Sequence, residues 1–166
     1  MTASRGPAWH EAALFGLAML ALASQALPRT LLINESRSLP RGLYIRAPSA
    51  VPDRGAIVAA RRPTTSVGYL TDLGVPPQVL LLKRVAAVGG EPVCRQGDRV
   101  ATPIRSVAVR AGDRRGRPLP VWRGCGPIEA GQLFLLGDSA DSFDSRYFGP
   151  IRTDQIDGVY RELLRW

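Results

Sequence analysis

From Pro28 to the C-terminus, apolar runs of four to eleven residues alternate with Pro, Gly and Asp, and this punctuation constrains the fold more than anything else in the chain. Short apolar runs bounded by turn formers read as strands, because a helix needs longer uninterrupted periodicity to bury a face. The clearest are GLYIRA (Gly42–Ala47), GAIVAA (Gly55–Ala60), QVLLLKRVAAV (Gln78–Val88) and QLFLLG (Gln132–Gly137). The spacing predicts a mainly β fold of many short strands. Residues 91–126 read as an insertion of weaker strands, in which RAGDRRGRP (Arg110–Pro118) is an exposed, solvated loop. A short helix is predicted only over Thr153–Leu164. No internal repeat is present.

Within QVLLLKRVAAV stands Lys83, the only lysine beside 21 arginines. Arginine keeps its charge under all ordinary conditions, whereas a buried lysine can be made to give up its proton. Period-two alternation places Lys83 with Val79, Leu81 and Val85 on one strand face. Two readings stand: a lysine snorkelling from a strand, or an amine held where it can be neutral.

The 166 residues allow one domain with a real core, and 45% hydrophobic with 22% charged residues describes a globular chain. A net charge of +8 favours anionic surfaces. No aromatic–basic interleaving or helix-turn-helix spacing points to nucleic acid, so none is expected as a partner. His10, the single histidine, lies in the N-terminal leader. The folded part therefore has no Ser-His-Asp triad, no Cys-His dyad and no histidine metal site, and no glycine-rich phosphate loop is present. Neither a metal nor a cofactor is expected. A hydrolytic nucleophile here must be deprotonated by something other than imidazole.

Residues 1–11 form a tail, residues 12–27 an apolar segment, and residues 28–166 the folded part. AALFGLAMLALA (Ala12–Ala23) is wholly apolar and extends with SQAL to Leu27. Sixteen helical residues rise about 24 Å, short of the roughly 30 Å hydrocarbon core, and Trp9 and His10 as an interfacial edge would complete a short transmembrane anchor. The rival is a cleaved secretory signal ending near Ala21-Leu22-Ala23. Only Arg5 precedes the segment whereas Arg29, Arg37, Arg41 and Arg46 follow, a balance that by itself would leave the domain in the cytoplasm. The two cysteines lean the other way. In an oxidising compartment Cys94 and Cys125 would close a loop worth on the order of 3–4 kcal/mol; otherwise they are two buried thiols.

Two polar stretches flank the lysine strand. NESRSLPRGLY (Asn34–Tyr44) sets Ser36 and Ser38 two residues apart before a proline and a strand. GDSADSFDSRYFGP (Gly137–Pro150) gathers Asp138, Asp141, Ser142, Asp144, Ser145 and Arg146 in one loop, without the spacing of an EF-hand.

Together with the apolar leader, SRSLPRGLY, LLKRVAAVGG and GDSADSFDSRYFG resemble, in order, the signal peptidase I family of serine–lysine membrane proteases, and most nearly its TraF-type conjugative-transfer branch. The resemblance implies a signal-peptidase-like β fold behind an N-terminal transmembrane helix. It implies Ser38 as nucleophile and Lys83 as general base, with the hydroxyl of Ser36 and the backbone N–H of Ser38 as oxyanion donors. Ser142 would orient the lysine amine by a hydrogen bond, although its loop is one residue shorter than in the broader signal peptidases. Asp144 and Arg146 would tie that loop together structurally. Leu39 stands where relatives often carry methionine, a volume-conserving change.

The chemistry is coherent. A serine hydroxyl needs a base nearby, and ammonium cannot accept a proton. Free lysine titrates at about 10.4, so a base working at neutral pH must be brought down by burial. The implied activity is endoproteolysis of membrane-bound precursors after small residues, on the periplasmic face of a bacterial inner membrane. A pilin precursor is the expected partner together with the bilayer. Attack on the acyl-enzyme by an amine in place of water would also cyclise the product. The alternatives are a general secretory signal peptidase, a LexA-like self-cleaving repressor, which would need a DNA-binding domain that is absent, and a non-catalytic membrane-tethered assembly factor.

Overall fold

The computed structural model describes residues 30–166. The apolar segment expected to anchor the chain lies outside them, and among the described residues no helix is long and apolar enough to cross a membrane.

The domain is mainly β, as the turn-punctuated pattern predicts. Seven antiparallel strands form the larger sheet: β1 (Leu31–Asn34), β2 (Gly42–Arg46), β3 (Ile57–Ala60), β4 (Leu81–Val88), β9 (Gln132–Leu136), β10 (Ile151–Arg152) and β11 (Ile156–Arg165). Their order is β1-β2-β11-β3-β4-β9-β10. Between β4 and β9 the chain builds a second sheet from β5 (Pro92–Gln96), β6 (Arg99–Ala101), β7 (Ser106–Ala108) and β8 (Cys125–Pro127), in the order β7-β6-β5-β8. Val93 and Val100 of this sheet pack with Phe134 and Leu136 of β9, so the two sheets share one apolar cluster. Cys94 and Cys125 lie opposite each other on β5 and β8 and are joined in a disulfide. Of the two states open from sequence, this is the bonded one.

The expected helix over Thr153–Leu164 is not formed. After a 3-10 turn at Thr153–Gln155 the chain runs as β11, ten residues paired with β2 on one side and β3 on the other. Local preference of a Glu/Leu/Arg-rich segment for helix is weak against ladders on both edges. Helix occurs instead at Val67–Asp72 and in a single turn at Ser145–Phe148.

Strand β4 lies between β3 and β9 near the middle of the sheet. Its register breaks between Val85, opposite Leu135, and Ala87, opposite Phe134. Leu135 and Phe134 face opposite sides of β9, so the extra residue turns Ala87 to the face opposite Val85. One strand thus supplies Val85 to the cluster around Phe148 and Ala87 to the cluster shared with the second sheet.

Candidate active site

Strand β1 ends at Asn34, and the next seven residues turn back into β2, carrying Ser36 and Ser38 at the bend. Asn34 is buried and holds the turn with both ends of its amide. Its Nδ2 donates to the carbonyls of Ser36, Leu39 and Pro40 at 3.2, 3.1 and 2.9 Å. Its Oδ1 accepts from the Ser36 N–H at 3.2 Å and from the Ser36 hydroxyl at 2.7 Å. Ser36 and Ser38 Oγ are 2.7 Å apart. A hydroxyl has one hydrogen, so with that of Ser36 on Asn34, Ser38 is the donor of the pair. For Ser36 to serve an oxyanion, its hydrogen must leave Asn34. Leu39, 2% exposed, anchors the bend in the cluster around Tyr44 and Tyr160.

Lys83 is 4% exposed in the middle of β4, opposite Val58 of β3, which is fully buried. Of the three neighbours expected on its face, Val85 is buried, Leu81 is partly buried, and Val79 precedes the strand and is 41% exposed. On the strand face of Lys83 the buried neighbours are therefore Val85 and, across the ladder, Val58, while Val79 lies off the strand and lines the cavity instead. Burial lowers the Lys83 pKa from 10.5 to about 8; the Asp144 carboxylate opposes this and the Arg146 guanidinium adds to it.

The third motif closes the site from the far side. The N–H groups of Asp138 and Ser139 donate to the Ser38 carbonyl at 2.6 and 3.4 Å, docking the serine turn on the loop after β9. Gly137 allows this approach, because a Cβ there would lie 2.8 Å from the Ser38 carbonyl oxygen and 2.6 Å from Ser142 Cβ. Asp144 and Arg146 form a two-pronged ion pair at 2.8 and 2.9 Å, both essentially inaccessible. Asp144 also accepts from the Gly137 N–H, and Arg146 donates to the carbonyls of Ala108 and Ala140. Such a pair holds its place because its remaining donors and acceptors are satisfied too. Ser142 is buried beside this frame, and its Oγ has no hydrogen-bond partner among the described residues. The Ser142–Lys83 hydrogen bond implied by the resemblance is not made in this arrangement.

Ser36, Ser38, Lys83 and Ser142 all line one cavity of about 890 Å³, walled by Leu32, Leu70, Leu80 and Phe143 among others. Three segments remote in sequence thus bring two hydroxyls, an amine of depressed basicity and a third hydroxyl to one largely apolar hollow. In its neutral form such an amine can accept a proton from an alcohol.

The sequence profile of the family described as "Signal peptidase, peptidase S26" matches residues 8–165. The chain belongs to that family. Among its relatives, the plasmid transfer protein TraF of Escherichia coli is 33% identical over 93% of this chain and 94% of its own length. The probable conjugal transfer protein TraF of Sinorhizobium fredii is 36% identical over 81% of this chain and 77% of its own length. Signal peptidase I V of Bacillus subtilis is 33% identical over 51% and 57% respectively.

Two features of this S26 member escape a sequence reading. Asn34 looks like an ordinary turn residue, and only its five hydrogen bonds single it out. The loop Arg110–Pro118, expected to be merely solvated, forms part of the cavity wall. Arg110 and Arg114 both pair with Asp141, beside Ser142, across 27 or more residues of chain. Within the loop, Asp113 accepts from the N–H groups of Arg115 and Arg117 and from the Arg117 side chain.

Proposed function

We propose that this chain is a membrane-anchored serine endopeptidase that removes leader peptides from exported precursors, with Ser38 as nucleophile and Lys83 as base. The carrying observation is the burial of Lys83 in the cavity lined by Ser38, with its pKa lowered to about 8. Neutral Lys83 takes the Ser38 proton as Oγ attacks the scissile carbonyl. The oxyanion is held by the Ser38 N–H and the Ser36 hydroxyl, once rotated from Asn34. Lys83 then returns the proton to the leaving amine, and water or a second amine releases the acyl group. Rotation of Ser142 towards the lysine amine would satisfy its unpaired hydroxyl and fix the amine's direction.

The substrate we favour is a pilin precursor of a conjugative transfer system, with product cyclisation by the amine route; the relatives named for plasmid and conjugal transfer support the transfer-system setting. Residues 12–27 would anchor the chain in a bacterial inner membrane with the domain in the periplasm, where a disulfide such as Cys94–Cys125 persists. Exposed apolar side chains support contact with the bilayer. Ile33, Leu43 and Leu164 form one cross-strand row, and Ile33 and Leu164 are 68% and 58% exposed. The similarity to Bacillus subtilis Signal peptidase I V favours general secretory processing as the second reading.

Full-length protein in detergent, incubated with pilin and secretory precursors beside Ser38→Ala, tests both. Cleavage of pilin precursor alone supports the first reading, and broad cleavage the second. Equal cleavage by Ser38→Ala refutes the dyad.

A further inference from the structure

Five arginines line the cavity against three carboxylates. Arg37 lies in the serine turn with Glu35, while Arg110, Arg114, Arg115 and Arg117 come from the second-sheet loop together with Asp113; Asp141 comes from the loop after β9. The carboxylates are largely spent internally. Asp141 is paired with both Arg110 and Arg114, and Asp113 is held by Arg117, two backbone N–H groups and the Tyr69 hydroxyl. Arg115 makes no ion pair or side-chain hydrogen bond with any described residue, although it borders the cavity. Arg117 is fixed twice over, by Asp113 and over the Tyr69 ring at 5.9 Å. The loop is thus rigidly built and still presents unspent positive charge beside the serine and lysine.

We propose that this loop is a specificity element that recognises a carboxylate on the substrate, either an acidic side chain or a free C-terminus, close to the scissile bond. A cavity of about 890 Å³ is roughly 10 Å across. An extended chain rises about 3.3 Å per residue, so the recognised group lies within about three residues of the cleavage point. Arg115 supplies the loop's available guanidinium, since Arg110 and Arg114 are held by Asp141 and Arg117 by Asp113.

The inference rests on the peptidase reading for its substrate, but its test needs no turnover. Full-length Ser38→Ala protein in detergent is titrated calorimetrically with three synthetic peptides spanning a leader junction. They carry Glu, Gln or Lys two residues from the junction, and each is made with a free and an amidated C-terminus. A partly exposed charge pair predicts about threefold to tenfold tighter binding of the carboxylate-bearing peptides, lost at about 1 M salt. Loss of the preference on side-chain neutralisation, or on amidation, identifies the source of the carboxylate. Arg115→Glu in the same background should reverse the order, so that the Lys peptide binds best. Equal affinities for all the peptides, or an order unchanged in Arg115→Glu, overturns the proposal. So does a loop that binds anionic vesicles while ignoring peptide charge. Because none of these readings requires cleavage, they stand or fall apart from the dyad.

Discussion

Replacing Lys83 by methionine keeps an unbranched side chain of similar length in β4 and removes the one group there that titrates. The native protein disfavours the ammonium form, bringing the Lys83 pKa from 10.5 to about 8. At about 1.36 kcal/mol per tenfold change in proton affinity, that is on the order of 3 kcal/mol of destabilisation. The sign follows from proton counting. Between about pH 8 and the unfolded value, the unfolded chain holds a proton that the native state has released, so wild-type stability rises with pH. Below about pH 8 both states are protonated and the full destabilisation remains. Lys83→Met should therefore be more stable than wild type at pH 7, by about 6–12 °C in Tm for a domain of this size. The gain should fall to about 1 kcal/mol by pH 9.5 and be gone near the unfolded pKa. Calorimetric scans of both proteins at the two pH values in the same detergent decide it, since other titrations are common to both. A Lys83→Met protein less stable than wild type at pH 7 would show that the amine is a charged structural partner, and the account of its basicity would fail.

The remaining expectations concern rate and local geometry. With a base near pKa 8, kcat/KM should climb about tenfold per pH unit below neutrality and level off above about pH 8; a flat profile from pH 6 to 9 would exclude Lys83 as the base. Ser36→Ala should lower kcat by about 10²–10³ without abolishing it, as expected for loss of one oxyanion donor; unchanged kcat would leave Ser36 as a partner of Asn34 only. Gly137→Ala should cost about 1–3 kcal/mol by pressing a methyl against Ser142 and the Ser38 carbonyl. Part of that loss should return in Gly137→Ala/Ser142→Gly, and a fully stable single variant would contradict the close packing.

Much of the fold is legible because turn residues punctuate the chain: the cores of β2, β3, β4 and β9 all lie within runs bounded by Pro, Gly or Asp. β11 is not, because IDGVYRELLR carries good helix formers and its strand state is imposed by partners more than 90 residues away in sequence. The same limit applies at the site. Ser36, Ser38, Lys83 and Ser142 can be picked out by motif order, and they do line one cavity. The hydrogen bonding of Asn34 cannot be picked out, nor can the approach of Arg110 and Arg114 to Asp141, since both depend on tertiary placement. Val79 shows the converse: period two assigns it to the face of Lys83, but the strand begins only at Leu81.

The most direct test of the central claim is the mass of the protein during turnover. Full-length enzyme mixed with a cleavable precursor and quenched in acid should carry the acyl fragment on Ser38, located by peptide mapping. The adduct should be absent from Ser38→Ala and from Lys83→Arg, whose guanidinium cannot accept the serine proton. An acyl group on another residue, or undiminished cleavage by either variant, would contradict the dyad.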